Sequence, residues 1–165
     1  MKDKQTIIFS SLIIIILIIF ITIMIIVPKS KYYKNEGFSI KLPSNFNIKK
    51  SSTLDTYLYS KEIKIGVKKE EFKKIEDKVI NNKSSLQEYA SRVAELNNFN
   101  VSELYKIKNT DYIYYSYYKN DYIYITLFAK TDDAFYSVYF VDDKEKKEEL
   151  FESFKKWSKT VKFSK

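Results

Sequence analysis

Residues 112–141 read YIYYSYYKNDYIYITLFAKTDDAFYSVYFV, and apolar side chains alternate with polar ones along much of this stretch. A period of two residues is typical of β-strands, because successive side chains point to opposite faces of the sheet. The runs 119–121 (KND) and 131–133 (TDD) supply residues that favour tight turns. The strands that we predict from this pattern are 99–107, 112–118, 122–129 and 135–141. We therefore expect an antiparallel meander.

Both faces of this meander are partly apolar. In segment 122–129, one face carries Ile123, Ile125, Leu127 and Ala129, and the other carries Tyr122, Tyr124, Thr126 and Phe128. A sheet of this kind needs cover on both sides. The expected fold class is α+β, with a central antiparallel sheet flanked by helices.

Two helices are predicted to supply that cover. Ser85-Leu86-Gln87-Glu88 is a capping-box pattern that opens the first helix, which ends at Asn97-Asn98. Its apolar stripe is Leu86, Tyr89, Ala90, Val93 and Leu96. The second helix is predicted over 142–161, with Asp142 or Asp143 as N-cap and with lysines near its end. Its stripe is Leu150, Phe151, Phe154, Trp157 and Val161.

Three strands are predicted before the first helix. Phe38–Leu42 alternates apolar with polar residues and ends at Pro43. Two further strands are expected near 54–60 and 63–69, where Gly66 marks a bulge or a close approach. Residues 70–83 are predicted to form a loop with some helical character.

The amino-terminal segment differs from the rest of the chain. After a tail at 1–6, residues 7–27 (IIFSSLIIIILIIFITIMIIV) contain no charge and are long enough to cross a bilayer as one helix. The run exceeds the apolar part of a signal peptide and lacks a small-residue cleavage site, which favours an uncleaved anchor. Residues 28–36 are predicted to be a tether in which Tyr32 and Tyr33 either anchor at the head groups or pack on the domain edge. Lysines flank the span on both sides, so the charge pattern leaves orientation open, and the short preceding tail favours an extracytoplasmic domain.

Two short stretches resemble the PsbP-like family, which is named for an extrinsic subunit of photosystem II. The first is EGFSIKLPSNF at 36–46, similar to the family's opening strand and proline corner, and the second is LFESFK at 150–155, similar to its terminal helix. The resemblance covers about residues 36–163 and implies an α/β/α sandwich over domain 37–165. It also implies kinship with membrane-anchored bacterial envelope proteins, most of them non-enzymatic binding or assembly modules. The chain has no histidine for the metal-associated positions of photosynthetic members, so an oxygen-evolving role does not follow and no functional residue is transferred.

Composition excludes several classes of catalytic site. The chain has no cysteine and no histidine, which excludes disulfides, thiolate nucleophiles, histidine triads and Cys/His zinc sites. Its two glycines do not suffice for a phosphate-binding glycine loop. The acidic pairs Asp132-Asp133 and Asp142-Asp143 suit a turn and a helix cap better than a calcium site. We expect no enzyme activity, no cofactor and no metal.

The tyrosine-rich strands are the most plausible binding surface. Tyrosine offers a large contact area with a polar tip, although strands also use it structurally. The candidate surface is Tyr114, Tyr118, Tyr122 and Tyr124. The net charge of +8 favours anionic neighbours, and a single arginine with a membrane anchor argues against nucleic acid. The expected function is non-catalytic binding of membrane lipid through 7–27 and of a protein or anionic wall polymer through the domain. The alternatives are an envelope hydrolase and a carrier of a small apolar ligand.

Overall fold

A computed structural model describes residues 15–17, 29–35, 37–75 and 79–164. In these residues the strands, in chain order, are β1 (Ser30–Asn35), β2 (Phe38–Pro43), β3 (Asn47–Lys49), β4 (Thr56–Tyr59), β5 (Lys64–Glu71), β6 (Tyr105–Lys106), β7 (Ile113–Lys119), β8 (Tyr122–Lys130), β9 (Ala134–Asp143) and β10 (Lys162–Phe163). The α-helices are α1 (Leu86–Leu96) and α2 (Lys147–Trp157). The class is mixed α+β with a large antiparallel sheet, as predicted.

The large sheet has the strand order β3-β4-β5-β9-β8-β7-β6. The two predicted hairpin turns are confirmed. Lys119 pairs with Tyr122 across a two-residue turn in which Asn120 has a φ of 56°, and Lys130 pairs with Phe135 across the second turn. The meander therefore runs continuously through β7, β8 and β9, and β5 pairs with the outer side of β9.

The strand predicted at 99–107 is wrong in extent. Only Tyr105–Lys106 forms a strand there, and Val101 makes an isolated bridge to Tyr117. The Ser116 N–H donates to the side-chain oxygen of Ser102 at 2.9 Å. A side chain thus occupies a position that a backbone carbonyl would take in a regular ladder, and pairing is interrupted.

The segment predicted as a tether is largely a strand. β1 pairs with β2, and β2 pairs with β10, in a three-stranded antiparallel sheet. Tyr33 is 4% exposed, whereas Tyr32 is 51% exposed. Tyr33 therefore follows the second interpretation of this tyrosine pair, which is packing on the domain.

Helix α1 begins as predicted. The Ser85 side chain accepts a hydrogen bond from the Glu88 N–H, and the Glu88 carboxylate accepts one from the Ser85 N–H. The second helix is shorter than predicted, because Asp142 and Asp143 continue β9 by pairing with Ile123 and Tyr122. Single 3-10 turns at 144–146 and 158–160 flank α2, and no side chain caps its start.

The two faces of the large sheet are covered unequally. Helix α2 and the small sheet cover one face, where Leu150, Phe154 and Trp157 are buried. Helix α1 covers part of the other face through Tyr89, Ala90 and Ala94. The rest of that second face is open, and it forms the floor of the candidate site.

The predicted membrane span at 7–27 lies outside the described residues except for 15–17, which are helical. None of the helices in the described part of the chain has the length and hydrophobicity that a bilayer crossing requires.

Candidate binding groove

An open groove of about 1020 Å³ lies beside α1 on the partly covered sheet face. Its floor comes from β5, β9, β8 and β7, one wall from α1 and Phe99, and the other wall from residues 53–55 and Tyr57. The strand register explains its depth. Tyr124 pairs with Val141, and Tyr139 pairs with Gly66, so two short side chains lie between large aromatic ones.

Gly66 shapes one end of the groove. A Cβ atom at this position would lie 2.8 Å from Cδ1 of Leu54, closer than van der Waals contact permits. Pairing of Gly66 with Tyr57 and with Tyr139 continues on both sides without a bulge. Of the two predicted meanings of this glycine, the close approach is therefore confirmed.

Three parallel rings form one side of the floor, and we call Phe99, Tyr117 and Tyr124 the aromatic column. The Phe99 and Tyr117 rings are 4.1 Å apart with an interplanar angle of 14°, and the Tyr117 and Tyr124 rings are 4.9 Å apart at 9°. Tyr124 ends the column, because its neighbour across β9 is the smaller Val141. One face of the half-buried Tyr124 ring thus borders the groove, and burial raises the pKa of its hydroxyl. At neutral pH this hydroxyl is a neutral donor and acceptor.

Two lysines at the hairpin end of the groove lie over aromatic rings. The ammonium nitrogen of Lys64 is 4.7 Å from the centroid of Tyr122, and that of Lys119 is 5.3 Å from the centroid of Phe99. In the described part of the chain, neither lysine forms an ion pair with a carboxylate. Asp143 is exposed beside Tyr122 but does not line the groove. This end of the groove is therefore electropositive.

The acidic side chains of the groove are engaged in local contacts. Glu70 pairs with Lys68 and accepts a hydrogen bond of 2.8 Å from the Tyr89 hydroxyl, and the Lys69 N–H donates to Asp55 at 2.6 Å. Partial burial lowers the pKa of Lys68, but the hydrogen bond and charge of Glu70 outweigh it, so the net pKa is raised. Burial raises the pKa of the Tyr89 hydroxyl, which therefore keeps its proton and donates it in the hydrogen bond to Glu70.

The lining as a whole combines aromatic rings with excess positive charge. Seven aromatic residues, six basic residues and three acidic residues line the groove. Within the described residues, no group of three acidic side chains is placed to hold a metal ion. The chemistry of this surface is that of recognition: ring faces for stacking, hydroxyl tips for hydrogen bonds, and ammonium groups for anions.

The four tyrosines predicted as a binding surface lie on two faces. Tyr122 and Tyr124 line the groove. Tyr114 lies on the opposite face, with its ring 4.8 Å from that of Phe154 under α2, and Tyr118 is on that same face and 55% exposed. The four side chains therefore do not form one continuous surface.

The groove also contains residues that the predicted surface does not include. The two-residue turn at Asn120–Asp121 fixes the pairing of Tyr117 with Tyr124, so the odd-numbered tyrosines of β7 share the face of Tyr124. The length of this turn can be read from the sequence, and it would have predicted that Tyr117 shares a face with Tyr124. Lys64 and Gly66 come from β5, which joins β9 more than sixty residues later in the chain, and no local pattern reveals this pairing.

Comparison with solved structures identifies a protein of similar fold. No protein-family model matches the sequence, and no curated protein matches it. The chain is similar in structure to the solution structure of cyanobacterial PsbP (CyanoP) from Synechocystis sp. PCC 6803, with a TM-score of 0.60 and 9% identity. The match covers 84% of this chain and 94% of that chain. The PsbP-like fold expected from the two short stretches is therefore confirmed.

Proposed function

We propose that the protein is a single-pass, membrane-anchored envelope protein whose PsbP-like domain is a non-catalytic binding or assembly module outside the cytoplasm. The groove beside α1 is the binding site. One observation carries this proposal. Ring faces line an open groove together with two ammonium groups that form no ion pair in the described part of the chain, while the carboxylates of that groove are already engaged.

The anchor sets the conditions under which the groove works. The uncharged run at 7–27 has the length of a bilayer-spanning helix, and the described domain begins a few residues after it. Confinement near the membrane raises the effective concentration of the groove toward any envelope component. A weak contact is then sufficient for occupancy.

The two alternative functions receive less support. A hydrolase needs an activated nucleophile or a free acid and base in its cleft. The chain has no histidine or cysteine, and Glu70 and Asp55 are held by Tyr89 and by a backbone N–H. A carrier of an apolar ligand needs an enclosed apolar cavity, whereas this groove is open and rich in lysine.

The natural absence of cysteine provides a direct test. We would place one cysteine in the groove wall (Thr53→Cys), where no binding role is assigned, and, as control, one on the opposite face (Tyr118→Cys), each in the full chain in its native host. A membrane-impermeant maleimide is applied to intact cells and to the detergent-purified protein. We expect both variants to be labelled in intact cells. We also expect the ratio of cellular to purified labelling rate to be several-fold lower for Thr53→Cys, because a bound component covers the groove.

Two outcomes contradict the proposal, and they contradict different parts of it. Labelling of both variants only after lysis would show that the domain faces the cytoplasm. Equal cellular-to-purified ratios for the two variants would show that nothing occupies the groove.

A further inference from the structure

We infer that the groove binds an anionic carbohydrate chain, with its acidic groups at Lys64 and Lys119 and a sugar ring against Tyr124. This inference rests on the proposed function and names the ligand class of the same site. The geometry of the floor, the free ring face, the unpaired cations and the size of the groove each point to it.

The floor offers side chains rather than main-chain groups. The central strands β9 and β8 are paired with neighbours on both sides. The outer edges of β5 and β7 are partly occupied, because the Asp55 carboxylate accepts the Lys69 N–H and the Ser102 hydroxyl accepts the Ser116 N–H. An extended peptide gains affinity mainly by adding to an exposed strand edge, and the central strands of this floor have no such edge. A ligand that bonds to hydroxyl and ammonium tips suits the surface better, and a hydroxyl-rich sugar is such a ligand.

The ring face of Tyr124 provides a stacking position. One of its faces contacts Tyr117 in the aromatic column, and the other borders the low floor at Val141. A tyrosine held by packing presents its area without a large loss of conformational entropy on binding. The apolar face of a pyranose ring fits a flat surface of this kind, and its hydroxyls then lie beside the tyrosine hydroxyls of the groove.

Two lysines that form no ion pair within the described residues favour a negative charge on the ligand. The Lys64 ammonium lies over Tyr122 and the Lys119 ammonium lies over Phe99, so both cations line the hairpin end of the groove. An ammonium group binds carboxylate or phosphate as a point charge and does not require bidentate geometry. Both uronate and sugar-phosphate chains carry the necessary anion.

The size of the groove favours a chain over a single small molecule. Pockets for small ligands occupy roughly 300–1,000 Å³ and enclose most of the ligand. This groove reaches about 1020 Å³ and is open, so that several linked sugar units can lie along it.

Calorimetric titration of the full-length protein in detergent tests the inference. The probes are polygalacturonate as carboxylate glycan, a phosphomannan as phosphate glycan, pullulan as neutral glycan and polyglutamate as acidic peptide. We expect at least one anionic glycan to bind, with affinity that falls as salt rises. We expect pullulan and polyglutamate to bind at least about tenfold more weakly, because each lacks one of the two recognised features.

Charge-reversal variants assign the binding to the groove. The variant Lys64→Glu with Lys119→Glu should lose roughly tenfold or more in affinity for the anionic glycan. The matched control, Lys156→Glu with Lys159→Glu, makes the same change in net charge at the carboxyl end of α2, and its affinity should stay within about twofold of the native value. If the groove variant unfolds, as judged by fluorescence of the buried Trp157, Lys64→Gln replaces it and should still weaken binding.

The opposite results overturn the inference. Polyglutamate binding as tightly as both anionic glycans would identify a general acidic-polymer or peptide site. Equal losses of affinity in the two charge-reversal variants would show that the net charge of the protein, and not the groove, determines glycan binding. A groove cysteine that is protected in cells, together with no glycan binding, would leave the proposed function intact and refute the ligand class alone.

Discussion

The Tyr33 hydroxyl joins three segments of the chain at one buried point. From strand β1 it donates a hydrogen bond of 2.7 Å to the carbonyl oxygen of Phe46, and it lies 3.1 Å from that of Pro43. The Phe46 ring in turn packs edge-on against Trp157 of α2, with centroids 5.5 Å apart. A residue assigned to a tether by sequence thus belongs to the folded domain.

Replacement of that hydroxyl tests whether β1 contributes to stability. We expect Tyr33→Phe to lower the free energy of unfolding by about 1–2 kcal/mol, because the buried Phe46 carbonyl loses a donor while the ring remains. Urea unfolding of the full-length protein, followed by Trp157 fluorescence, measures the change. Tyr32→Phe is the matched control, because its side chain is half exposed, and it should have almost no effect. Equal free energies of unfolding for the two variants would show that the Tyr33 hydroxyl does not stabilise the packing of β1.

At the residue scale, the sequence was informative about turns and caps and less informative about faces. Asn120 and the Ser85–Glu88 pair were identified from residue type alone, because their side chains interact with the backbone within a few residues. The division of the tyrosines between faces depends on pairing register. The sequence predicts one surface for Tyr114 and Tyr118 together with Tyr122 and Tyr124, but the hairpin register places the first two on the opposite face.

Helix α1 depends at its start on an ionised capping residue. The pKa of Glu88 is lowered, first by the hydrogen bond from the Ser85 N–H, at 2.6 Å, and also by the Ser85 side chain. A lowered pKa means that the ionised form of Glu88 is more favourable in the folded protein than in the unfolded chain, so ionisation stabilises the fold. This contribution is complete above the ordinary pKa of glutamate, near 4.3, and is lost as pH falls through the lowered value.

The pH dependence of a cap variant tests this element. We expect Glu88→Ala to lower the urea midpoint at neutral pH and to differ less from the native protein at pH values below the lowered pKa. Gln87→Ala changes an exposed neighbour outside the capping box and serves as control, with the same small effect at all pH values. A Glu88→Ala deficit that is constant with pH would show that ionisation of the cap does not stabilise α1.

Elements with local determinants were predicted well, and those with distant determinants were not. Helix α1 follows from its own cap and stripe. The start of α2 is displaced because β9 extends through Asp143 to match the length of β8, which is a property of the neighbouring strand. The region 99–107 alternates like a strand, yet the Ser102 side chain interrupts its ladder.

In the whole molecule, the groove results from unequal cover of one sheet. Helix α2 and the three-stranded sheet cover one face, whereas the eleven-residue α1 covers only part of the other. The apolar pattern predicted cover on both faces but not its extent. The open remainder combines Val141 and Gly66 as low floor with tyrosines and lysines around them, and this combination is visible only when β5 is placed beside β9.

The most direct measurement is co-sedimentation of the full-length protein, kept in detergent, with lipid-free cell-wall fragments from a host strain that lacks it, so that the anchor itself cannot carry the protein into the pellet. The groove variant replaces Tyr122 and Tyr124 by alanine, and the matched control replaces the exposed Tyr32 and Tyr118 in the same way. We expect the native protein and the control to sediment with the fragments to the same extent, and the groove variant to remain largely in the supernatant while its Trp157 unfolding transition stays cooperative. Equal sedimentation of the groove variant and the control would contradict the assignment of the groove as the binding site.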